Sequence, residues 1–119
     1  MTYQINRCTK NLNAEFLILA SGLGGHASFW QPQIAALTQY FHVLSYDQEG
    51  CHADSMVLPE QYSITDLAKQ LVQILAQEKI QHFHFIGHAI GGFIGAELAV
   101  LLSSSENACL SLTCINAWN

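Results

Sequence analysis

Residues 87–92 read Gly-His-Ala-Ile-Gly-Gly and directly follow an apolar run at residues 82–86. Small residues at these positions let a strand turn sharply into a helix that packs close to the sheet. In the G-x-S-x-G form of this turn, the nucleophile elbow, a serine is held up at the centre. Here the central residue is Ala89, whose methyl group can neither attack nor lose a proton. The segment predicts the backbone of a nucleophile site without its nucleophile; the alternative is a glycine-rich turn that only joins two elements.

The remaining sequence alternates between apolar runs and amphipathic segments. We expect strands at 2–6, 16–20, 42–46, 82–86 and 110–115, and helices at 28–40, 63–78 and 91–103. Ser63 with Asp66 three residues later is close to a capping box. Strand–helix–strand units with short turns predict a three-layer α/β fold with a mostly parallel sheet. Ligands bind at the carboxyl edge of such sheets, where the elbow, the loop at Asp47 and a second glycine-rich turn after residue 20 would meet.

Composition restricts the class of partner. The 119 residues allow one small domain, and only 11% of them are charged, against roughly 25% in an ordinary soluble domain. A net charge of -5 argues against a nucleic-acid partner. No apolar run reaches the roughly 18 residues of a membrane span, and the N-terminus lacks the apolar core of a signal peptide. These features predict a cytoplasmic protein with no membrane partner.

Cysteine and histidine spacing gives no pattern typical of a metal centre. The four cysteines are scattered without C-x-x-C spacing, which favours free thiols. Cys51 and the adjacent His52 are a conceivable zinc pair. His82 and His84 alternate along a strand and so share one face, where contact with helix ends or solvent is favoured over a metal. We therefore predict no metal and no cofactor.

The two glycine-rich turns, together with Phe29-Trp30, Tyr46-Asp47-Gln48 and Asn116-Ala117-Trp118, resemble the N-terminal half of an α/β-hydrolase over essentially the whole chain. Within that fold, the sequence is most similar to the pyrimidine-utilisation protein D family of aminoacrylate hydrolases, in which Gly-His-Ala also replaces Gly-His-Ser.

Two features depart from the family pattern. Glu49 stands where relatives typically carry an arginine in Asp-Gln-Arg-Gly-x-Gly. The chain also ends at Asn119, after the strand that follows the elbow helix. In this fold the acid and the catalytic histidine come later in chain order than the nucleophile. The resemblance therefore implies that the cap, later strands, acid and histidine are absent from these 119 residues.

The resemblance also implies a set of site residues. The turn after the early strand and the residue after the nucleophile position would donate backbone N–H groups to an anionic oxygen. On this mapping the donors are Leu23 and Ile90, and Ala89 leaves room for substrate or water. The residues expected to line the pocket are Gly22, Gly24, His26, His88 and Trp118. For His26 and His88, a role in capping, packing or hydrogen bonding is favoured over a direct role in the chemistry.

The function implied by the resemblance is hydrolysis of aminoacrylate, a small-molecule substrate, to malonic semialdehyde and ammonia. Two alternatives stay open: a non-catalytic truncated module, and an esterase with a serine-to-alanine knockout. The isolated chain is expected to be inactive. The strand at 110–115 lacks the Lys or Pro that protects a free edge, so we also expect homo-oligomerisation through this strand.

Overall fold

The computed structural model describes residues 2–21, 27–47, 63–105 and 107–115. Its elements, in chain order, are β1 (Tyr3–Asn6), β2 (Phe16–Ala20), a 3₁₀ turn (Ala27–Trp30), α1 (Gln31–Leu37), β3 (His42–Tyr46), α2 (Ile64–Glu78), β4 (His82–His88), α3 (Ile90–Leu101) and β5 (Ala108–Ile115).

The five strands form one sheet in the order β1-β3-β2-β4-β5. β1 pairs with β3 in the antiparallel sense at one edge, whereas the pairs β3–β2, β2–β4 and β4–β5 are all parallel. The predicted mostly parallel sheet is therefore confirmed. The ends of β2, β3 and β4 lie side by side, and Ala20 pairs with Gly87 at this carboxyl edge.

Helices cover both faces of the sheet, which gives the three predicted layers. On one face α2 and α3 bury a core that includes Ile18, Leu44, Phe83 and Phe85. On the other face the 3₁₀ turn and α1 cover a smaller cluster, whose buried members are Leu17, Leu19, Trp30, Ile34 and Val43. The two central strands β2 and β3 are buried on both faces, as expected for parallel strands between two helical layers, whereas the edge strand β5 is mostly exposed.

The predicted and observed bounds of the elements agree most closely where the sequence carries a strong local pattern. β2 and β3 have the predicted bounds. The capping box is also confirmed: the Asp66 N–H donates to Ser63 Oγ at 3.2 Å and the Ser63 N–H donates to Asp66 Oδ2 at 3.0 Å. The hydrogen bond from the Ser63 backbone, followed by that from its side chain, lowers the pKa of the Asp66 carboxyl.

The helix predicted at 28–40 is shorter and begins differently. Its first turn is 3₁₀, and the α-helix ends at Leu37. Thr38 caps this end, because its hydroxyl donates to the Ile34 carbonyl at 2.9 Å. Smaller differences occur elsewhere: β4 continues to His88, α3 ends at Leu101, and β5 begins at Ala108.

β5 lies at the edge of the sheet, and within the described ranges no strand pairs with its far side. Leu110, Leu112 and Ile115 are between 37% and 45% exposed. Self-association through this strand stays a prediction, which light scattering of the 119-residue chain would test. No helix among the described residues has the length and apolar character needed to cross a bilayer.

Candidate active site

The elbow predicted at Ala89 is present in the backbone. β4 ends at His88 and α3 begins at Ile90, with only Ala89 between them. Ala89 adopts φ 53° and ψ -123°, a region that costs a residue with a Cβ atom about 1–3 kcal/mol. Among the described non-glycine residues only Lys79 also has positive φ, and it occupies the ordinary left-handed position that ends α2.

The flanking glycines are required by close backbone contacts. A Cβ atom on Gly87 would lie 2.4 Å from the carbonyl carbon of Gly91. A Cβ atom on Gly91 would lie 2.5 Å from the Ala20 carbonyl oxygen. Because these neighbours are backbone atoms, they cannot rotate away. The sequence therefore keeps the small residues that allow α3 to rise directly against the ends of β2 and β4.

The start of α3 is suited to an anion. The first N–H groups of a helix have no intrahelical partner and lie at the positive end of the helix dipole. The Ala89 methyl group cannot cap them, since it accepts no hydrogen bond. On its other side the elbow is held by β5, because the Ala89 N–H donates to the Ile115 carbonyl at 2.8 Å. The arrangement presents the Ile90 N–H beside a small apolar side chain.

Aromatic side chains flank the elbow. The ring of His88 stacks on Phe29, with centroids 4.9 Å apart and an angle of 26° between planes. Phe29 also meets Trp30 edge to face at 5.0 Å. At the start of the same turn, the Ala27 N–H donates to Asp47 Oδ1 at 2.7 Å. Thus the ends of β3 and β4 are both tied to the 3₁₀ turn.

The structure brings together three of the predicted site residues: His88, Ala89 and Ile90. The others, Gly22, Leu23, Gly24, His26 and Trp118, lie outside the described residues, as do Cys51 and His52. The sequence interpretation missed Phe29 as the partner of His88. In the sequence, Phe29 is only an aromatic residue shortly after a glycine-rich turn. That pattern alone does not identify a contact with a residue on another strand.

A cluster of three polar side chains lies on the sheet away from the elbow. Ser111 Oγ is 2.6 Å from His84 Nδ1, and His84 Nε2 is 3.1 Å from Glu15 Oε1. We call these three residues the Glu15–His84–Ser111 array. The side chains of His84 and Glu15 are 25% and 59% exposed. With its proton on Nε2, a neutral His84 would donate to Glu15 and accept the Ser111 hydroxyl proton, which is the bonding order of a serine–histidine–acid triad.

A β-bulge creates this array. Phe83 pairs with Cys109, but His84 pairs with Ser111, so Leu110 is an extra residue in β5. The shift turns Ser111 to the face that carries His84, as bulges commonly re-aim a side chain. The described residues contain no group of three or more His, Cys, Asp or Glu side chains that could hold a metal ion.

Cys8, Cys109 and Cys114 are free thiols. Burial raises the pKa of the Cys109 thiol, so it is a poor nucleophile near neutral pH.

This chain belongs to the family with the alpha/beta hydrolase fold, whose model matches residues 15–119. It is similar to the protein named "Putative carbamate hydrolase RutD" in Acinetobacter baylyi, with 55% identity over 99% of this chain and 44% of that protein. The protein of the same name in Stutzerimonas stutzeri is 46% identical over 90% of this chain and 39% of its own length.

Among solved structures, the chain resembles the enol-lactonase from Burkholderia xenovorans LB400. The TM-score is 0.75 and the identity is 32%, over 90% of this chain and 40% of the lactonase. The chain thus spans about two-fifths of the length of the relatives it matches.

Proposed function

We propose that the protein hydrolyses a small carboxylate by breaking a C–N bond, with aminoacrylate as the first candidate substrate. The observation that carries this proposal is the elbow at Ala89. Its backbone keeps a strained conformation and close glycine contacts, although no serine is present. A site retained in this form suits a reaction in which water, rather than a side chain, attacks the substrate.

Aminoacrylate allows such a route. The enamine takes a proton on carbon to become an iminium ion, and water adds to the iminium carbon while a proton passes to the general base. The resulting carbinolamine then breaks its C–N bond, which releases ammonia and leaves malonic semialdehyde. No acyl-enzyme is formed, so the missing nucleophile is not needed, whereas a general acid/base is. In this fold the acid and the histidine follow the elbow in chain order. We expect the general acid/base, which carries the proton, to be one of these later residues.

The Ile90 N–H would bind the carboxylate, because the start of a helix favours an anion. Leu23 stays the predicted second donor. The Ala89 methyl group leaves space above the turn for the attacking water, where a serine hydroxyl would otherwise stand. The substrate's negative charge would thus be held while its C–N end faces the proton carrier.

Carbamate is the second candidate, favoured by the name of the RutD relatives. It is also a small anion, and its hydrolysis gives bicarbonate and ammonia by attack of water at the carboxyl carbon. The same N–H group would stabilise the negative charge that grows on oxygen during this attack. The two substrates therefore make similar demands on the elbow.

The test is ammonia release by the protein expressed from its complete gene, with freshly generated aminoacrylate and with carbamate. A rate above the spontaneous one on either substrate supports a C–N hydrolase and identifies the preferred substrate. p-Nitrophenyl acetate serves as the ester control, and an Ala89→Ser variant tests the knockout-esterase alternative. If ammonia release stays at the spontaneous rate with both substrates, the proposal is rejected and a non-catalytic module is favoured.

A further inference from the structure

We propose that the 3₁₀ turn Ala27–Trp30 is a brace that fixes the elbow, and that Phe29 and Asp47 are positioning residues of the site. The part concerning substrate rests on the proposed function. The claim that the turn fixes the elbow rests on two contacts, one at each end of the turn. We refer to residues 27–30 as the brace.

The first contact ties the brace to β3. Asp47 directly follows β3, and its Oδ1 atom accepts the Ala27 N–H at 2.7 Å. Asp47 is itself held in place, because its own N–H donates to the Thr2 carbonyl at 2.9 Å. A hydrogen bond to a carboxylate is shorter and stronger than a neutral one, so the start of the brace is well anchored.

The second contact ties the brace to the elbow. Phe29 stacks on His88, the last residue of β4, at a centroid distance of 4.9 Å. Trp30 supports Phe29 from the side and is only 6% exposed. Phe29 is 49% exposed, so burial in the core does not account for its position. Its described ring contacts are with His88 and Trp30.

β2 lies between β3 and β4 in the sheet, so the brace crosses the end of β2 and joins its two neighbours. The elbow is then held on both sides. The Ala89 N–H bonds to Ile115 on the β5 side, and the His88 stack holds the β2 side. Loss of either brace contact should let His88 and Ala89 shift together, and with them the Ile90 N–H that follows.

Four variants of the complete protein test this coupling. Phe29→Leu removes the stack and Asp47→Ala removes the anchor, while Phe29→Tyr and Asp47→Asn keep a ring and an acceptor oxygen. Phe93→Leu is the matched control, because Phe93 is similarly exposed at 44% but lies on α3 away from the brace. Amide hydrogen exchange is measured at Ala89 and Gly92, whose N–H groups bond to Ile115 and Ala89 respectively.

We expect Phe29→Leu and Asp47→Ala to speed exchange at these two amides about tenfold, with α2 unchanged, since local opening follows local contacts. Phe29→Tyr, Asp47→Asn and Phe93→Leu should stay within about twofold of the wild type. Unchanged exchange at Ala89 and Gly92 in both disruptive variants would overturn the brace, whatever happens to activity.

Ammonia release measured on the same variants separates this inference from the proposed function. kcat/KM should fall about tenfold or more in the two disruptive variants, since small misplacements of binding groups are costly. If exchange rises while kcat/KM is unchanged, Phe29 and Asp47 are not positioning residues of the site. If the wild type has no activity but exchange rises as expected, the proposed function fails and the brace stands.

Discussion

The elbow and the Glu15–His84–Ser111 array each have features of a serine-hydrolase site that the other lacks, and they lie in different places. The elbow has the strained turn and the start of a helix, but it carries Ala89 where a nucleophile would stand. The array has a hydroxyl, an imidazole and a carboxylate within hydrogen-bond distance. It lies on one face of the sheet, however, where the backbone N–H groups of paired strands point along the sheet and not out of it.

These two regions show that a triad-like order of side chains and a backbone suited to bind an anion are separate features, and that either can occur without the other. Donors that stabilise negative charge usually make the largest contribution to catalysis, and of these two places the elbow, at the start of a helix, is the one suited to an anion. The His84–Glu15 pair is partly exposed, and such ion pairs contribute little to stability. Under the proposed function we therefore expect the chemistry at the elbow, and we expect the array to contribute to strand pairing.

The largest expected effect is a loss of stability when a side chain is added where the backbone of the elbow is in close contact. Gly87→Ala places a Cβ atom 2.4 Å from two backbone atoms of Gly91. We expect unfolding free energy to fall by at least about 3 kcal/mol, the upper range for overpacking, as measured by urea denaturation.

Gly95→Ala is the matched control, because the three atoms nearest its Cβ atom belong to the side chains of Leu112 and Phe85 and not to the backbone. Phe85 is fully buried, but Leu112 is 37% exposed and its side chain can turn away; since alanine also favours the helix, we expect a smaller cost of about 1–2 kcal/mol. Equal losses in the two variants would show that the elbow backbone is no tighter than the helix packing behind it.

A smaller effect is expected at the centre of the elbow, where a substitution by glycine should stabilise the protein instead of destabilising it. Glycine at position 89 would avoid the strain of φ 53°, which exceeds the added entropy of the unfolded chain. We predict that Ala89→Gly raises the free energy of unfolding by about 1 kcal/mol. Ala96→Gly, at an exposed position within α3, should lower it by about 1 kcal/mol. A loss in both variants would mean that Ala89 is not strained.

The bounds of β2 and β3 follow from the sequence because each is a short, mostly apolar segment that ends at a polar or glycine-rich turn. The elbow follows from its glycines for the same local reason. The array could not be predicted, because it depends on the extra residue Leu110 in a pairing between β4 and β5. The stack of His88 on Phe29 was missed for a similar reason: the two residues meet only after β2 and β4 have paired.

The smallest effect is expected in the array. Ser111→Ala removes a hydroxyl that contacts His84 at a partly exposed site, so the free energy of unfolding should fall by no more than about 1 kcal/mol. Thermal or urea denaturation measures this change, with Thr113→Ala on the same strand as the control. A loss above about 3 kcal/mol would give the array a larger structural role than its exposure allows.

Ammonia release by Ala89→Leu and by Ser111→Ala tests most directly where the chemistry takes place. Both variants are made in the complete protein and compared with the wild type on the preferred substrate, after circular dichroism confirms that each is folded. Leucine at position 89 fills the space above the Ile90 N–H, so we predict a loss of at least about a hundredfold, with Ser111→Ala within about twofold of the wild type. Retained activity in Ala89→Leu together with loss in Ser111→Ala would contradict this account and move the site to the array.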